Sequence, residues 1–102
     1  MNGFEDDNES SSDSAVEFEL PPKYKVILLN DDFTTKDFVV YVLVDIFKKS
    51  EVEAERIMES VHKSGRGIAG VYPYDIAATK ARMTMDKARG SGFPLKCVVE
   101  KE

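Results

Sequence analysis

The first fifth of the chain differs in composition from everything after it, and this difference limits which residues can fold. Residues 1–22 contain seven acidic side chains, no Lys or Arg, four Ser and a closing Pro21-Pro22. A segment with little apolar surface and charge of one sign cannot offset the entropy lost on ordering. We therefore predict a disordered acidic extension at residues 1–22 and one folded domain at residues 23–102.

The charge of the folded part argues against several classes of function. Residues 23–102 carry 14 basic and 12 acidic side chains, so the net charge of −5 comes from the extension. A nearly neutral domain does not favour binding nucleic acid through phosphate neutralisation. With one Cys and one His, the chain has neither an internal disulfide nor a Cys-based zinc site, and we expect no metal or other cofactor.

Targeting features are also missing from the sequence. The longest apolar run, Phe38–Val44, is far shorter than the roughly 18 residues of a membrane span. The extension lacks the basic start of a secretory signal and the Arg content of a transit peptide. We expect a cytoplasmic monomer with no membrane partner.

The first half of the domain reads as a strand, a turn and a helix. Lys23–Leu29 contains a buried apolar run typical of a strand, and Asn30-Asp31-Asp32 interrupts it with turn-forming residues. Phe38–Phe47 is rich in Val and Ile, but without period-two alternation we predict a helix. Thr34 or Thr35 is placed to cap it.

The second half continues with two helices and two strands. Ser50 and Glu53 form a capping box that opens a helix, and Gly65 ends this helix. The remaining elements are a short strand at Ile68–Tyr72, a helix with Pro73 at its first position, and a strand at Phe93–Glu100. The predicted buried positions of the last two elements are Ile76, Ala77, Ala81, Met85 and Ala88, then Leu95, Cys97 and Val99. The β-α-α-β-α-β order predicts a single α+β layered domain.

One motif imitates a phosphate-binding loop. Residues 65–70 match G-x-G-x-x-G, but a dinucleotide site needs this pattern between a strand and a helix. Here the pattern ends a helix and enters a strand. We predict that Gly65 is a left-handed helix cap and that Gly67 and Gly70 allow close packing.

The densest group of polar acceptors is Asn30-Asp31-Asp32, and the residues alone leave its role open. It is either a turn that precedes a helix, or a site for a cation such as a hard metal or an ammonium group. His62 shares a helix face with Met58, beside Val61. These three residues either form the edge of the core or line a pocket with an apolar base and a polar rim. No nucleophile–base arrangement is readable, so we predict no enzyme activity.

Four stretches, in order from about Pro22 to the end, resemble the ClpS adaptor family. They are Tyr24–Thr34 followed by Phe38-Val39, Ile57–His62, Gly67–Tyr72 and Pro94–Cys97. The resemblance implies the fold shared by ClpS and the ribosomal L7/L12 C-terminal domain. It also implies a non-enzymatic adaptor that binds N-degron substrates through a free α-amino group and a first residue such as Leu, Phe, Tyr or Trp. Such an adaptor delivers them to a ClpA-type AAA+ chaperone and its ClpP protease, and the family's N-terminal extension is engaged by the chaperone pore.

The resemblance also assigns roles by position. It implies that the α-amino group is bound by Asn30, Asp31 and His62. It implies a side-chain pocket formed by Val39, Met58, Val61 and Leu95, with a rim supported by Asp32 and Thr34. Asp75 and Lys80 match the positions that dock on the chaperone N-terminal domain.

The chain departs from the family pattern at three positions of the same turn. Lys36 stands where many members carry a Met that excludes β-branched first residues, so the exclusion of Ile and Val is not carried over. Thr35 replaces a frequent Pro, and Phe33 replaces Tyr.

Two other functions stay open at this point. A protein-docking module like the ribosomal stalk domain would need neither a pocket nor a free amine. A small hydrolase would use Asp31 or Asp32.

Overall fold

The computed structural model describes residues 20–102, so almost all of the predicted disordered extension lies outside the described residues. The elements follow the predicted order β-α-α-β-α-β. They are β1 (Lys23–Leu29), α1 (Lys36–Asp45), α2 (Glu51–Ser64), β2 (Arg66–Pro73), α3 (Tyr74–Gly90) and β3 (Lys96–Lys101). The α+β fold class is confirmed.

The three strands form an antiparallel sheet in the order β2-β1-β3, with β1 in the centre. On β1, Val26 lies opposite Gly70 but Ile27 lies opposite Ile68, so Ala69 is the extra residue of a β-bulge. A bulge of this kind bends its strand and increases the local twist. It brings Ala69 into the core, where its side chain is buried.

One face of the sheet packs against the helices. The inward residues Val26, Leu28 and Cys97 join a core to which all three helices contribute. The helical contributions include Val39, Val42 and Leu43 from α1, Ala54, Met58 and Val61 from α2, and Ala77, Ala81 and Ala88 from α3. This packing buries the apolar faces of the helices against the sheet.

The opposite face carries one completely buried residue, Ile27. The Arg66 guanidinium reaches Glu100 at 3.2 Å, although Arg66 lies opposite Leu29 and Glu100 lies opposite Lys25. The ion pair therefore crosses the sheet diagonally above Ile27. Alternation places Ile27 on this same face, away from the helices.

Local signals located the helix ends well. The Thr35 hydroxyl accepts from the Phe38 N–H at 3.1 Å, and the Ser50 hydroxyl accepts from the Glu53 N–H at the same distance. Gly65 adopts φ 89°, the left-handed conformation that ends α2. The predicted caps are confirmed, and Thr35 is the one of the two threonines that caps α1.

Three boundary and burial predictions were wrong. Pro73 closes β2 and precedes the first helical residue of α3, because its extended backbone still belongs to the strand. Ile76 is 43% exposed, whereas Thr84 is fully buried and donates its hydroxyl to the Lys80 carbonyl at 2.8 Å. This internal bond lets a polar side chain replace an apolar one in the stripe.

The last strand begins at Lys96 rather than Phe93. Pro94 has no N–H to offer a ladder, which delays strand pairing. No helix in the described part of the chain has the length and apolarity to cross a membrane.

Candidate functional site

A cleft of about 530 Å³ lies where β1 turns into α1 and faces α2. It brings together every residue that was predicted for the α-amino and side-chain sites except Leu95. The lining residues are Asn30, Asp31, Asp32, Phe33, Thr34, Thr35, Lys36, Val39, Met58, Val61 and His62.

The polar wall of the cleft is a hydrogen-bonded turn built on Asp31. Its Oδ1 accepts from the N–H of Phe33 at 2.8 Å and of Thr34 at 2.7 Å, and its Oδ2 accepts from the Thr34 hydroxyl at 2.7 Å. The cluster therefore forms a turn before α1, as one of the two interpretations predicted, and these bonds do not exclude the other, a site for a cation. Since a carboxylate has about four acceptor positions, these three bonds leave Asp31 able to accept one from a ligand.

The same bonds determine the charge of Asp31. Partial desolvation on its own raises the pKa of this carboxyl, but hydrogen bonds from the Thr34 hydroxyl, the Thr34 N–H and the Phe33 N–H outweigh it, with help from the positive charge of Arg89. The pKa of Asp31 is consequently held below its ordinary value of 3.8. The cleft carries a permanent negative charge at neutral pH.

A backbone hydrogen bond connects the two sides of the polar rim. The Asn30 N–H donates to the Gly65 carbonyl at 3.0 Å, which joins the end of β1 to the end of α2. His62 lies in the last turn of α2, so this bond places an exposed imidazole and an exposed amide beside one cleft. Sequence spacing alone could not show that these two residues meet.

The base of the cleft is apolar. Val39 comes from α1, and Met58 and Val61 come from α2; all three are buried. Gly67 makes room for this packing, because a Cβ at that position would lie 2.8 Å from Val61 Cγ2 and 3.1 Å from the Ile57 carbonyl. The predicted close approach at Gly67 is confirmed, and it positions a cleft residue.

Leu95 does not line the cleft. It has no exposed surface and belongs to the core, and its carbonyl accepts from Arg89 Nη1 at 3.0 Å. Two lining residues were not assigned to the site from the sequence, Phe33 and Thr35. The sequence feature that could have indicated Phe33 is its position as an aromatic residue inside an otherwise polar turn.

The predicted docking residues lie elsewhere, on α3. Asp75 and Lys80 line a shallow groove together with Ile76, Thr79 and Met83. The Lys80 ammonium also donates to the Ile46 carbonyl at 2.8 Å and lies 5.4 Å from the centre of the Tyr72 ring. Lys80 therefore joins α3 to the end of α1, a contact that the sequence did not indicate.

Residues 20–102 offer no support for metal binding or for a reactive thiol. These residues contain no group of three or more His, Cys, Asp or Glu side chains placed to hold a metal ion. Burial raises the pKa of the Cys97 thiol to about 11 against a lowering effect of Arg89, and Cys97 Sγ donates to the Ala81 carbonyl at 3.3 Å. This thiol stays protonated at neutral pH.

Comparison with known proteins agrees with the geometry. The family model for the ATP-dependent Clp protease adaptor protein ClpS matches residues 19–98. The ATP-dependent Clp protease adapter protein ClpS of Treponema denticola is 56% identical over 81 residues, which cover 79% of this chain and 80% of the relative. That of Acetivibrio thermocellus is 51% identical over 87 residues, covering 85% and 88%.

A solved structure is similar as well. The structure of Agrobacterium tumefaciens ClpS2 bound to L-phenylalaninamide matches with a TM-score of 0.78 and 42% sequence identity. The match covers 81% of this chain and 100% of that one.

Proposed function

Because the chain belongs to the ClpS family of ATP-dependent Clp protease adaptor proteins, we propose that it binds N-degron substrates in the cleft and delivers them to a ClpA-type AAA+ chaperone and its ClpP protease. The observation that carries this proposal is a cleft with an anionic, acceptor-rich rim above an apolar base. Its family is one of adaptors, not of enzymes.

The chemistry of a protein N-terminus suits the two parts of the cleft. An α-ammonium group has a positive charge and three donors, which Asn30, Asp31 and His62 are placed to accept. A first side chain of Phe, Leu, Tyr or Trp would pack on Val39 and Met58. Burying such a side chain contributes roughly 1.5–3 kcal/mol, and each hydrogen bond to a charged group contributes a similar amount.

The ligand of the similar structure has the same features. L-Phenylalaninamide carries a free α-amino group and an aromatic side chain, and its carboxyl group is blocked as it would be in a peptide. The known binding of this molecule to Agrobacterium tumefaciens ClpS2 supports an aromatic first residue for this chain. Asp32, Thr34 and Lys36 support the rim, and with Lys36 at this position the family's exclusion of Ile and Val as first residues is not carried over.

Delivery is the second half of the proposal. Asp75 and Lys80 form the docking surface for the chaperone N-terminal domain, and residues 1–22 act as the extension that the chaperone pore engages. In this proposal the protein acts as a monomer in the cytoplasm. Lys80 contributes to docking through the arrangement of α3 against α1 and through its remaining donors.

Fluorescence anisotropy with short labelled peptides tests the binding half. We expect peptides that begin with Phe or Leu to bind with micromolar affinity, which corresponds to about 8 kcal/mol. Acetylation of the N-terminus removes the charge and two donors, so the acetylated peptides should not bind. Equal binding of free and acetylated peptides would contradict the proposal and favour a docking module of the ribosomal stalk type.

Degradation assays test the delivery half. Deletion of residues 1–21 should leave peptide affinity unchanged but stop the degradation of an N-degron reporter by the chaperone–protease pair. If the truncated protein supports full degradation, the extension has no part in delivery.

A further inference from the structure

A second cleft, of about 520 Å³, lies on the other side of the Asn30–Phe33 turn. The two clefts share the whole of this turn, so the turn is a wall between them. The second cleft is completed by Leu29, Pro94 and Lys96. With the Phe33 ring and the aliphatic stem of Lys96, these residues make its surface mainly apolar.

Phe33 is the residue that makes this wall unusual. Its side chain is 74% exposed, more than that of any other aromatic residue in the described part of the chain. Its backbone is held in place, since its N–H donates to Asp31 at 2.8 Å. The ring itself forms no pair with another aromatic ring of residues 20–102. An exposed ring on a hydrogen-bonded backbone, between two clefts, offers packing surface to a ligand.

We propose that the second cleft binds the side chain of the second residue of the substrate and prefers an apolar one. This inference rests on the proposed function, because it starts from a peptide whose α-amino group is held at the turn. In an extended peptide, successive side chains point in opposite directions. When the first side chain enters the first cleft, the second points to the other side of the turn, where the second cleft lies.

The distances in a peptide agree with this placement. Neighbouring Cα atoms are about 3.8 Å apart, and each extended residue advances about 3.3–3.6 Å. Phe33 lies next to the acceptors of the first cleft, since its N–H is 2.8 Å from Asp31 Oδ1. One residue therefore carries the substrate from the acceptors of the first cleft to the ring of Phe33.

The charges of the shared wall select against an acidic second residue. Asp31 and Asp32 line both clefts, whereas Lys96 is the one cation that lines the second cleft. The positive charge of Arg89 also acts on Asp31, but its Nη1 donates to the carbonyls of Phe93 and Leu95. A carboxylate entering the second cleft would approach two negative charges. An apolar side chain instead packs on Phe33 and Pro94 without this repulsion.

The experiment compares peptides that differ only at the second position, with Phe always first. Anisotropy should show that a Phe-Leu peptide binds about fivefold to tenfold more tightly than a Phe-Ala peptide, with a Phe-Asp peptide weakest. The Phe33→Ala variant should reduce the Phe-Leu to Phe-Ala ratio to within twofold of one. Because Phe33 lines both clefts, its variant is read only through this ratio. Pro94→Ala, at a residue that lines the second cleft alone, should lower the same ratio and keep the affinity for L-phenylalaninamide, which has no second residue, within twofold of wild type.

The chain offers a matched control. Val52 has the same 74% exposure but lies on α2 and lines neither cleft, so Val52→Ala should keep the wild-type preference. Equal affinities of the three peptides for the wild type would overturn the inference and leave the proposed function in place. The same holds if Pro94→Ala weakens L-phenylalaninamide as much as it weakens Phe-Leu. Failure of every free-amine peptide to bind would overturn both proposals.

Discussion

The Asn30–Thr34 turn and the contact of Lys80 with α1 both contain charges that the sequence marks as functional, but the fold uses them differently. The Asp31 carboxylate bonds only within its own turn and keeps acceptor capacity toward the cleft. The Lys80 ammonium donates to the Ile46 carbonyl, 34 residues away, and lies over the rings of Phe47 and Tyr72.

The partners of a charged side chain decide whether it is free to bind a ligand or serves to hold the fold together. Local bonds to Asp31 make the turn rigid and leave its charge pointing at a ligand, which is preorganisation for binding. A long-range bond from Lys80 completes the end of one helix and attaches it to another. Removing the first charge should therefore affect binding most, and removing the second should affect stability most.

The largest expected effect comes from Asp31→Ala. This change removes a charged partner of the α-ammonium group, so we expect peptide affinity to fall about 10- to 100-fold. Asp31→Asn should fall between wild type and Ala, because an amide oxygen still accepts bonds from the turn. Anisotropy with a Phe-led peptide measures both variants.

The matched control is Asp37→Ala, an acid in the first turn of α1 that does not line the cleft. It should leave the affinity within about twofold. Equal losses for Asp31→Ala and Asp37→Ala would mean that the effect is general electrostatic attraction, and the distinction drawn for the turn would fail.

For Lys80→Met we expect a loss of stability without a loss of peptide affinity. The loss of a hydrogen bond from a charged donor should lower the free energy of unfolding by about 1.5–3 kcal/mol, whereas peptide affinity stays unchanged. Urea denaturation and anisotropy on the same sample provide the two values. As the control, Lys63→Met removes only an exposed pair with Glu59 at 3.7 Å, which contributes less than about 1 kcal/mol. Unchanged stability in Lys80→Met would show that the contact with Ile46 contributes nothing.

The pH dependence of binding sharpens the description of the turn. Because the folded-state pKa of Asp31 is lowered, its contribution to stability is complete above pH 3.8 and is lost as the pH falls through the folded-state pKa. Asp31 is therefore charged throughout pH 5–8. The peptide α-amino group has an ordinary pKa of about 7.7–8.0, so it loses its proton as the pH rises from 7 to 9.

We expect peptide affinity to fall about tenfold between pH 7 and pH 9, as the ammonium form disappears. Anisotropy across this range, with the unfolding midpoint followed in parallel, separates loss of binding from loss of fold. An affinity that rises toward pH 9 would show that the neutral amine is the bound form.

The smallest effect is expected for the ion pair on the outer face of the sheet. A double-mutant cycle with Arg66→Ala and Glu100→Ala should give a coupling energy below about 1 kcal/mol, because both side chains are about half exposed. Arg66→Ala alone should cost more than Arg56→Ala, because Arg66 lies on the sheet face that buries Ile27, whereas Arg56 pairs with Glu53 within α2. Equal stability losses for the two Arg variants would show that the Arg66 side chain does not shield Ile27.

Most of the element order followed from local signals. Thr35, Ser50 and Gly65 act on backbone groups within four residues, so their roles as caps could be predicted from their neighbours alone. The burial of α3 was predicted less well. Ile76 lies outside the buried face and Thr84 lies within it, because the packing against the sheet decided the orientation of the helix and a hydrogen bond satisfied the Thr84 hydroxyl.

The residues of the candidate site were also predicted only in part from the sequence. Residues of the cleft were named from motifs that resemble a known family, and the acceptor character of Asn30-Asp31-Asp32 was readable from side-chain chemistry. Leu95 was placed in the pocket on the same grounds, but the structure puts it inside the core. Exposure depends on how neighbouring elements pack, which no short motif specifies.

The order of elements, their caps and the acceptor chemistry of the turn could be predicted from the sequence, since they depend on residues close together in the chain. The contact of Lys80 with Ile46, the ion pair of Arg66 with Glu100 and the second cleft between Phe33 and Pro94 depend on tertiary packing. Each of these joins residues at least 34 positions apart. Such contacts form only after antiparallel pairing on both sides of β1 has brought the elements together.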